Sequence, residues 1–379
     1  MTTTQQTIYR PKMQPTVIAV PVSRGKLAIH RGTRQSDPNV IWEDPGWKAV
    51  AISHMNGERP INEIAHALRA AGHAVSESDI SELVDALQDI SAVADANYFQ
   101  AGSLTPLQMD RYSRNLNGFA ALNSDGRLPA DMQATLMRGH VLMLGLGGLG
   151  SATSLALAMA GCGRLSMVDF DHVENANLNR QLYSTADIGQ TKVDAMSRRL
   201  KEVNPEIEVA GFARRLGGAD EVRATVEQLR PDVVVAAIDR PTIAADRWVS
   251  DACFAAGVPA IFNSVSAGKG LVWSKVPGST GCFQCDETWA QERAPEHYDV
   301  RRYREQHDLI PATSAFSYSA MAVAGMMTSE VVRYLVGLPM ATAGRLVVLD
   351  FTTLATTITE KPSHPDCPVC SGGTGGGNE

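Results

Sequence analysis

The sequence predicts an α/β protein: a Rossmann-like, doubly wound sheet with a small winged-helix-like module in front of it. Three observations predict this. Residues 140–171, HVLMLGLGGLGSATSLALAMAGCGRLSMVDFD, read as strand, glycine turn, helix and second strand, with Gly145, Gly147 and Gly150 in the spacing GxGxxG. Further apolar runs at 207–212 and 233–238 are separated by a helical pattern over 192–203, the alternation expected of a parallel sheet. Residues 1–95 have another character, short strand patterns followed by three helical ones.

Composition bounds the function. The 379 residues, 44% hydrophobic and 20% charged, fit a soluble chain of one large or two ordinary domains. A net charge of -7 argues against nucleic acid as a partner. There is no apolar run of membrane-spanning length, and MTTTQQTIYRPK lacks the basic start and apolar centre of a secretory signal. No membrane partner is expected, and a cytoplasmic location is. Of the 6 cysteines, Cys162 and Cys253 sit in apolar surroundings and read as inert core; the other four form two CxxC pairs.

In chain order, residues 17–20 and 26–30 read as strands, with Trp42 and Trp47 as core anchors. Helices are predicted over 47–55, 61–71 and 78–90, the last started by Ser78 and Asp79. The plainer alternative, by composition alone, is a packing or dimerisation extension. Its order of elements resembles the precursor-peptide recognition modules of ribosomal peptide biosynthesis. That resemblance implies a peptide adding a strand to the module's sheet edge. Residues 96–140 join the modules and include Arg114 and a helical stretch at 131–139.

The glycine unit binds a nucleotide by a simple mechanism. Glycine lets the backbone turn tightly and approach phosphate oxygens, and the helix N-terminus presents unpaired N–H groups to the anion. Asp169, about 20 residues on, suits a ribose hydroxyl. Polar density then rises: Asp171, Asn177, Arg180 and, after Gly189, Lys192. Asp239 ends the strand at 233–238, and ligands of open parallel sheets lie beyond such ends. A helix cap is the competing role for Asp239, although Arg240-Pro241 delays the next helix.

Charge indicates the chemistry. Reaction at the α-phosphate of ATP requires Mg²⁺, neutralised oxyanions and stabilised pyrophosphate. Asp239 would ligate Mg²⁺, which takes only one or two carboxylates. Lys192, Arg180 and Arg114 would neutralise phosphate oxygens. A substrate carboxylate, ionised at neutral pH, then attacks without a protein base.

The motifs GLGGLG, DFDHVE, NLNRQ, GQTKV and IDRP, in this order, resemble the E1-like adenylating superfamily, which includes the molybdopterin-synthase and thiamine sulfur-carrier adenylating enzymes. The likeness runs from about residue 108 to 372. RYSRN at 111–115, PGSTGCFQC at 277–285 and PATSAFS at 311–317 are similar to its peptide-modifying branch, the microcin C and pantocin A type. The resemblance implies that Gly145, Gly147 and Gly150 contact phosphates and Asp169 the ribose. It also implies Asn177, Arg180 and Lys192 at the polyphosphate and Asp239 at the metal. Asp171 is placed beside the same nucleotide. Arg114 resembles an arginine that reaches a neighbouring subunit's ATP, which implies a homodimer.

Cys282, Cys285, Cys367 and Cys370 have the knuckle spacing of a structural Zn²⁺ site, with a redox pair as the alternative. No cysteine lies between the pairs, so a covalent thioester has no nucleophile in that stretch. The loop expected at 286–310 is charged and aromatic; Arg293, His297, Tyr298, Arg301, Arg302, Tyr303 and Arg304 are candidates to hold a peptide's acidic or C-terminal end, against the plainer reading of a solvated face. Residues 320–336 predict a core or dimer helix and 346–350 a strand.

The expected organisation is therefore a recognition module at 1–95, a linker carrying Arg114 at 96–140, an adenylation domain with its zinc site at 141–372, and a disordered tail at 373–379. The expected activity is ATP- and Mg²⁺-dependent activation of a carboxyl or carboxamide-derived group on a short ribosomal precursor peptide. The product would be either an internally cyclised glutamate or a nucleotide attached at the C-terminus. The alternatives are an NAD- or FAD-dependent oxidoreductase, which leaves Arg180, Lys192 and Asp239 without a joint role, and a non-catalytic peptide scaffold.

Overall fold

A computed structural model describes residues 8–31, 39–100, 102–122, 126–307, 309 and 314–370. The tail expected at 373–379 and residues 311–313 of the PATSAFS motif lie outside these. The chain divides into two compact units, Met1–Ala134 and Thr135–Glu379.

In the first unit, strands β1 (Pro11–Met13), β2 (Val17–Val22), β3 (Lys26–Arg31) and β4 (Asn39–Glu43) come first. Helices α1 (Lys48–Ser53), α2 (Ile61–Ala70) and α3 (Glu77–Asp89) follow, then β5 (Val93–Asp95). β2, β3 and β4 form an antiparallel meander, and β1 pairs with β5. The amphipathic spacing read from sequence is the buried stripe: Ile64 and Leu68 of α2 meet Ile80, Val84 and Leu87 of α3 in one core with Leu27 and Ile29. Trp42 and Trp47 pack on it from the side. One expectation is corrected. Ser76, not Ser78, starts α3: its hydroxyl accepts from the Asp79 N–H, and the Asp79 carboxylate accepts from the Ser76 N–H. Helices α4 (Pro106–Arg111), α5 (Ser113–Leu122) and α6 (Pro129–Leu136) complete the connection.

The second unit is built on β6 (His140–Leu144), α7 (Gly148–Ala160), β7 (Arg164–Val168), α8 (Lys192–Val203), β8 (Glu208–Phe212), α9 (Ala219–Leu229) and β9 (Val233–Ala236). Then come α10 (Ala244–Ala256), β10 (Ala260–Val265), β11 (Lys269–Lys275), α11 (Phe283–Arg293), α12 (Pro295–Gln306), α13 (Ser317–Leu335), β12 (Arg345–Asp350) and β13 (Thr356–Glu360). One eight-stranded sheet runs β13-β12-β11-β10-β9-β6-β7-β8. The strands β8, β7, β6, β9 and β10 are parallel, and β11 to β13 add antiparallel at one side. β6 and β9, in the middle of the sheet, are buried on both faces, which is why they read as unbroken apolar runs.

α13 packs by its small residues Ala320, Val323 and Ala324 and is a core helix of this unit. The loop expected at 286–310 is corrected: its first part completes α11, and α12 takes up most of the remainder. Among the described residues no helix is long and apolar enough to cross a membrane.

Candidate active site and four-cysteine centre

The glycine turn joins β6 to α7 at the C-terminal end of the parallel strands. Gly145 has φ +92°, and a Cβ there would stand 2.4 Å from the Ala237 carbonyl oxygen. A Cβ on Gly150 would stand 1.9 Å from the Gly145 carbonyl oxygen. Neither position admits a side chain. Gly147 instead has nothing within 4 Å of a built Cβ, so that backbone faces open space where a ligand can approach. Gly147 is also the N-cap of α7, whose first N–H groups are presented at the turn.

Asp169 is 9% exposed, and burial raises its pKa. Its two oxygens accept from the Leu146 N–H at 2.6 Å and the Asp171 N–H at 2.8 Å, so it ties the end of β7 to the glycine turn. Asp171 accepts from Lys192 Nζ at 2.8 Å, and Lys192 is only 5% exposed. The cation expected at the polyphosphate is thus held beside the turn on a half-exposed carboxylate. Asn177 Oδ1 accepts from the Glu174 N–H, leaving its amide donors free of that bond. Arg180 donates to the Ala176 carbonyl and to Asn179 Oδ1, and its backbone lies 3.3 Å from a Cβ built on Gly148.

The glycine turn also touches the end of β9. The Ala237 N–H donates to the Leu144 carbonyl at 2.7 Å, and two residues later Asp239 is exposed. Its carboxylate is not a helix cap, because α10 starts at Ala244 after an Ile243 N-cap that makes no side-chain bond. Gly145, Gly150, Asp169, Asp171, Arg180, Lys192 and the Asp239 segment therefore share one end of the sheet. Arg114 is exposed on α5, in the first unit.

Sequence reasoning missed three supports of this site. Tyr183 donates its hydroxyl to the Leu146 carbonyl at 2.9 Å, Asn263 Nδ2 donates to the Ala236 carbonyl at 2.7 Å, and Ala320 of α13 comes within 3.6 Å of a Cβ built on Gly148. Tyr183 follows the NLNRQ run by two residues, which was a usable signal. Arg301 and Arg302, candidates for a peptide end, are instead paired within their own unit. Arg301 meets Glu287, and Arg302 meets Glu305 at 2.9 Å; Arg247 joins both carboxylates.

The four cysteines Cys282, Cys285, Cys367 and Cys370 converge. Their sulfurs lie within 4.8 Å of one another, at 4.0 Å for Cys282–Cys285, 3.5 Å for Cys282–Cys367 and 3.3 Å for Cys285–Cys370. A tetrahedron of Zn–S bonds has sulfurs about 3.8 Å apart, so the donor set fits Zn²⁺. Burial pushes the Cys285 thiol up to about 11; at Cys367 burial is outweighed by the Cys370 and Val369 N–H groups, which bring the thiol down to about 7. The frame is built for closeness. A Cβ on Gly281 would be 3.0 Å from Cys285 Cβ, and buried Lys275 binds the Gly281 and Cys282 carbonyls and Asp286.

The family follows from comparison with known proteins. Residues 112–369 match the model of the ThiF family. The sulfur carrier protein ThiS adenylyltransferase of Escherichia coli K12 is 36% identical over 188 residues, 49% of this chain and 69% of that protein. The sulfur carrier protein adenylyltransferase of Thermus thermophilus is 30% identical over 275 residues, 70% and 92% of the two chains. Among solved structures, E. coli MccB with ATP superposes with a TM-score of 0.75 at 21% identity, covering 95% of this chain and 99% of that one. The microcin C7 biosynthetic enzyme MccB in complex with N-formylated MccA gives 0.73 at 20% identity, covering 95% and 99%. PaaA gives 0.70 at 22% identity, covering 91% and 98%. At these identities the superpositions establish the fold.

Proposed function

The chain belongs to the ThiF family and is an ATP-dependent adenylating enzyme; from that premise we propose that it activates a carboxyl or carboxamide-derived group of a short ribosomally made precursor peptide. With an adenylating family established, the hydride-transfer and scaffold alternatives fall away. One observation carries the peptide substrate: the likeness to MccB, a microcin biosynthetic enzyme solved with MccA, extends over 95% of this chain and so includes the first unit. That unit offers a place for an extended peptide, because β4 is paired only with β3 among the described residues.

The chain's own groups divide the work. Gly147 and the α7 N-terminus take phosphate oxygens, Asp169 accepts from the ribose while holding the turn, and Arg180 and Lys192 face the polyphosphate. Lys192 exchanges Asp171 for phosphate, an exchange driven by the greater charge of the polyphosphate. Asp239 would hold Mg²⁺, which supplies charge neutralisation when bound. Arg114 serves the nucleotide of a second copy in a homodimer, and the four cysteines hold a structural Zn²⁺. The peptide carboxylate is the nucleophile, so the enzyme contributes position and charge rather than a base. Whether AMP stays on the peptide or leaves during internal cyclisation depends on the peptide.

The test is incubation of the protein with Mg-ATP and the short peptide encoded beside its gene, followed by mass spectrometry of peptide and nucleotide. A peptide gaining AMP, or losing water as AMP and pyrophosphate appear, is the expected result; no ATP consumption with any candidate peptide refutes the reading. Asp239→Ala is expected to lower turnover by at least about 100-fold while leaving peptide affinity unchanged.

A further inference from the structure

The first unit contains a groove of about 450 Å³ between β4 and α3. Its apolar part comes from Ile41, Trp42, Trp47 and Leu83. Ile41 is 59% exposed, an uncovered β-branched residue on a strand whose outer edge has no partner among the described residues. Its rim is acidic: Glu43, Asp79 and Glu82 line it, against the single cation Lys48. Lys48 is turned to the backbone, its Nζ donating to the Glu43 carbonyl at 2.9 Å. Glu43 lies 3.6 Å from Lys26, and Asp79 is held ionised by Ser76. Glu82 has no ion-pair or hydrogen-bond partner among the described residues.

Asp79 and Glu82 are the acidic residues that α3 brings to the groove itself. α3, ESDISELVDALQD, carries Glu77, Asp79, Glu82, Asp85 and Asp89 and no basic residue. Carboxylates spaced three and four apart repel one another and weaken a helix by a few tenths of a kcal/mol per pair. Here no internal cation offsets that cost, whereas α2, the neighbouring helix, carries Arg69 in its last turn. An acidic wall beside an apolar floor and a free strand edge describes its ligand by complement.

We infer that the groove takes an extended cationic stretch of peptide, with apolar side chains on the Ile41–Trp47 floor and lysine or arginine side chains along the α3 wall. This rests on the peptide reading above and adds the chemistry that the recognition segment must have. Main-chain bonds to β4 give affinity that any extended peptide shares; Glu82 and its neighbours give the choice among peptides. The charged part of that choice is exposed, so it weakens with salt.

The test is fluorescence anisotropy on the full chain with three labelled peptides that share valine at alternate positions and carry lysine, glutamine or glutamate between them. The lysine peptide is expected to bind at least about 10-fold more tightly than the glutamate peptide at low ionic strength, with the gap closing at high salt. Glu82→Gln is expected to narrow the gap, Ile41→Asp to weaken all three peptides, and Glu63→Gln, on exposed α2 surface away from the groove, to change nothing. Equal binding of the lysine and glutamate peptides, or an equal effect of Glu63→Gln and Glu82→Gln, overturns the charge rule and leaves the peptide role standing. Binding of none of the three overturns both.

Discussion

Asp169 has both of its oxygens in use before a ligand arrives. Oδ2 accepts from Leu146 in the glycine turn and Oδ1 from Asp171 at the end of β7. A carboxylate can still accept a ribose hydroxyl with its remaining lone pairs, but an amide cannot do the same job. Asparagine would turn an NH₂ toward either the buried Leu146 N–H or the partly buried Asp171 N–H and leave that donor unsatisfied. Asp169→Asn is therefore expected to cost about 1–3 kcal/mol of stability and to raise the KM for ATP, because the glycine turn loses its tether. Denaturant melts and ATP–pyrophosphate exchange measure the two effects; an unchanged KM with lowered stability would confine Asp169 to a structural role. The glycine turn tolerates little else, since Gly145 and Gly150 have no room for a methyl group.

At the scale of the element, α3 shows how far a pattern can be read. Its buried stripe was legible because Ile80, Leu83, Val84 and Leu87 recur at helical spacing. Its start was not, because Ser76 and Ser78 both suit an N-cap and only the reciprocal bond with Asp79 distinguishes them. Ser76→Ala is expected to destabilise the first unit by about 1 kcal/mol, read from its denaturation midpoint. Hydrogen bonds from Ser76 hold the Asp79 pKa below the usual carboxylate value. A depressed pKa gives stability that is present above the unfolded value of 3.8 and is lost as pH falls through the folded one, so the gap between mutant and parent should narrow in acid, leaving the part due to the Asp79 N–H bond.

Other elements were illegible for physical reasons. α12 buries no residue and has no apolar stripe; it is held by charges, Glu305 on Arg247 and Arg302, and Arg301 on Glu287. β13 is exposed along its whole length, and β1 and β5 are three residues each, too short for alternation to register. The site divides in the same way. The position of Asp169, Lys192 and Asp239 at one end of the sheet could be read from their spacing after the glycine turn, whereas Tyr183 and Asn263 act on main-chain carbonyls that only the fold brings near.

For the molecule as a whole, two devices hold distant parts of the chain to one task. The first is the four-cysteine centre, which joins the start of α11 to residues 367–370. Metal removal by a chelator, or Cys367→Ser, is expected to release zinc, about one ion per chain, and to lower the melting temperature of the second unit while the first unit's transition stays in place. The second is the proposed homodimer, in which Arg114 of one copy serves the nucleotide that Asp239 of another helps to bind. Mixing separates this from action within one chain. Arg114→Ala and Asp239→Ala subunits are each expected to be inactive alone. In a mixed dimer one site pairs the intact Asp239 of the first subunit with the intact Arg114 of the second, and the other site carries both lesions. Random reassembly of equal amounts then restores about a quarter of parental ATP–pyrophosphate exchange, since half of the dimers are mixed and each has one working site. If Arg114 acted on its own chain's nucleotide, every site in the mixture would keep one lesion, and reassembly would restore no activity at any ratio.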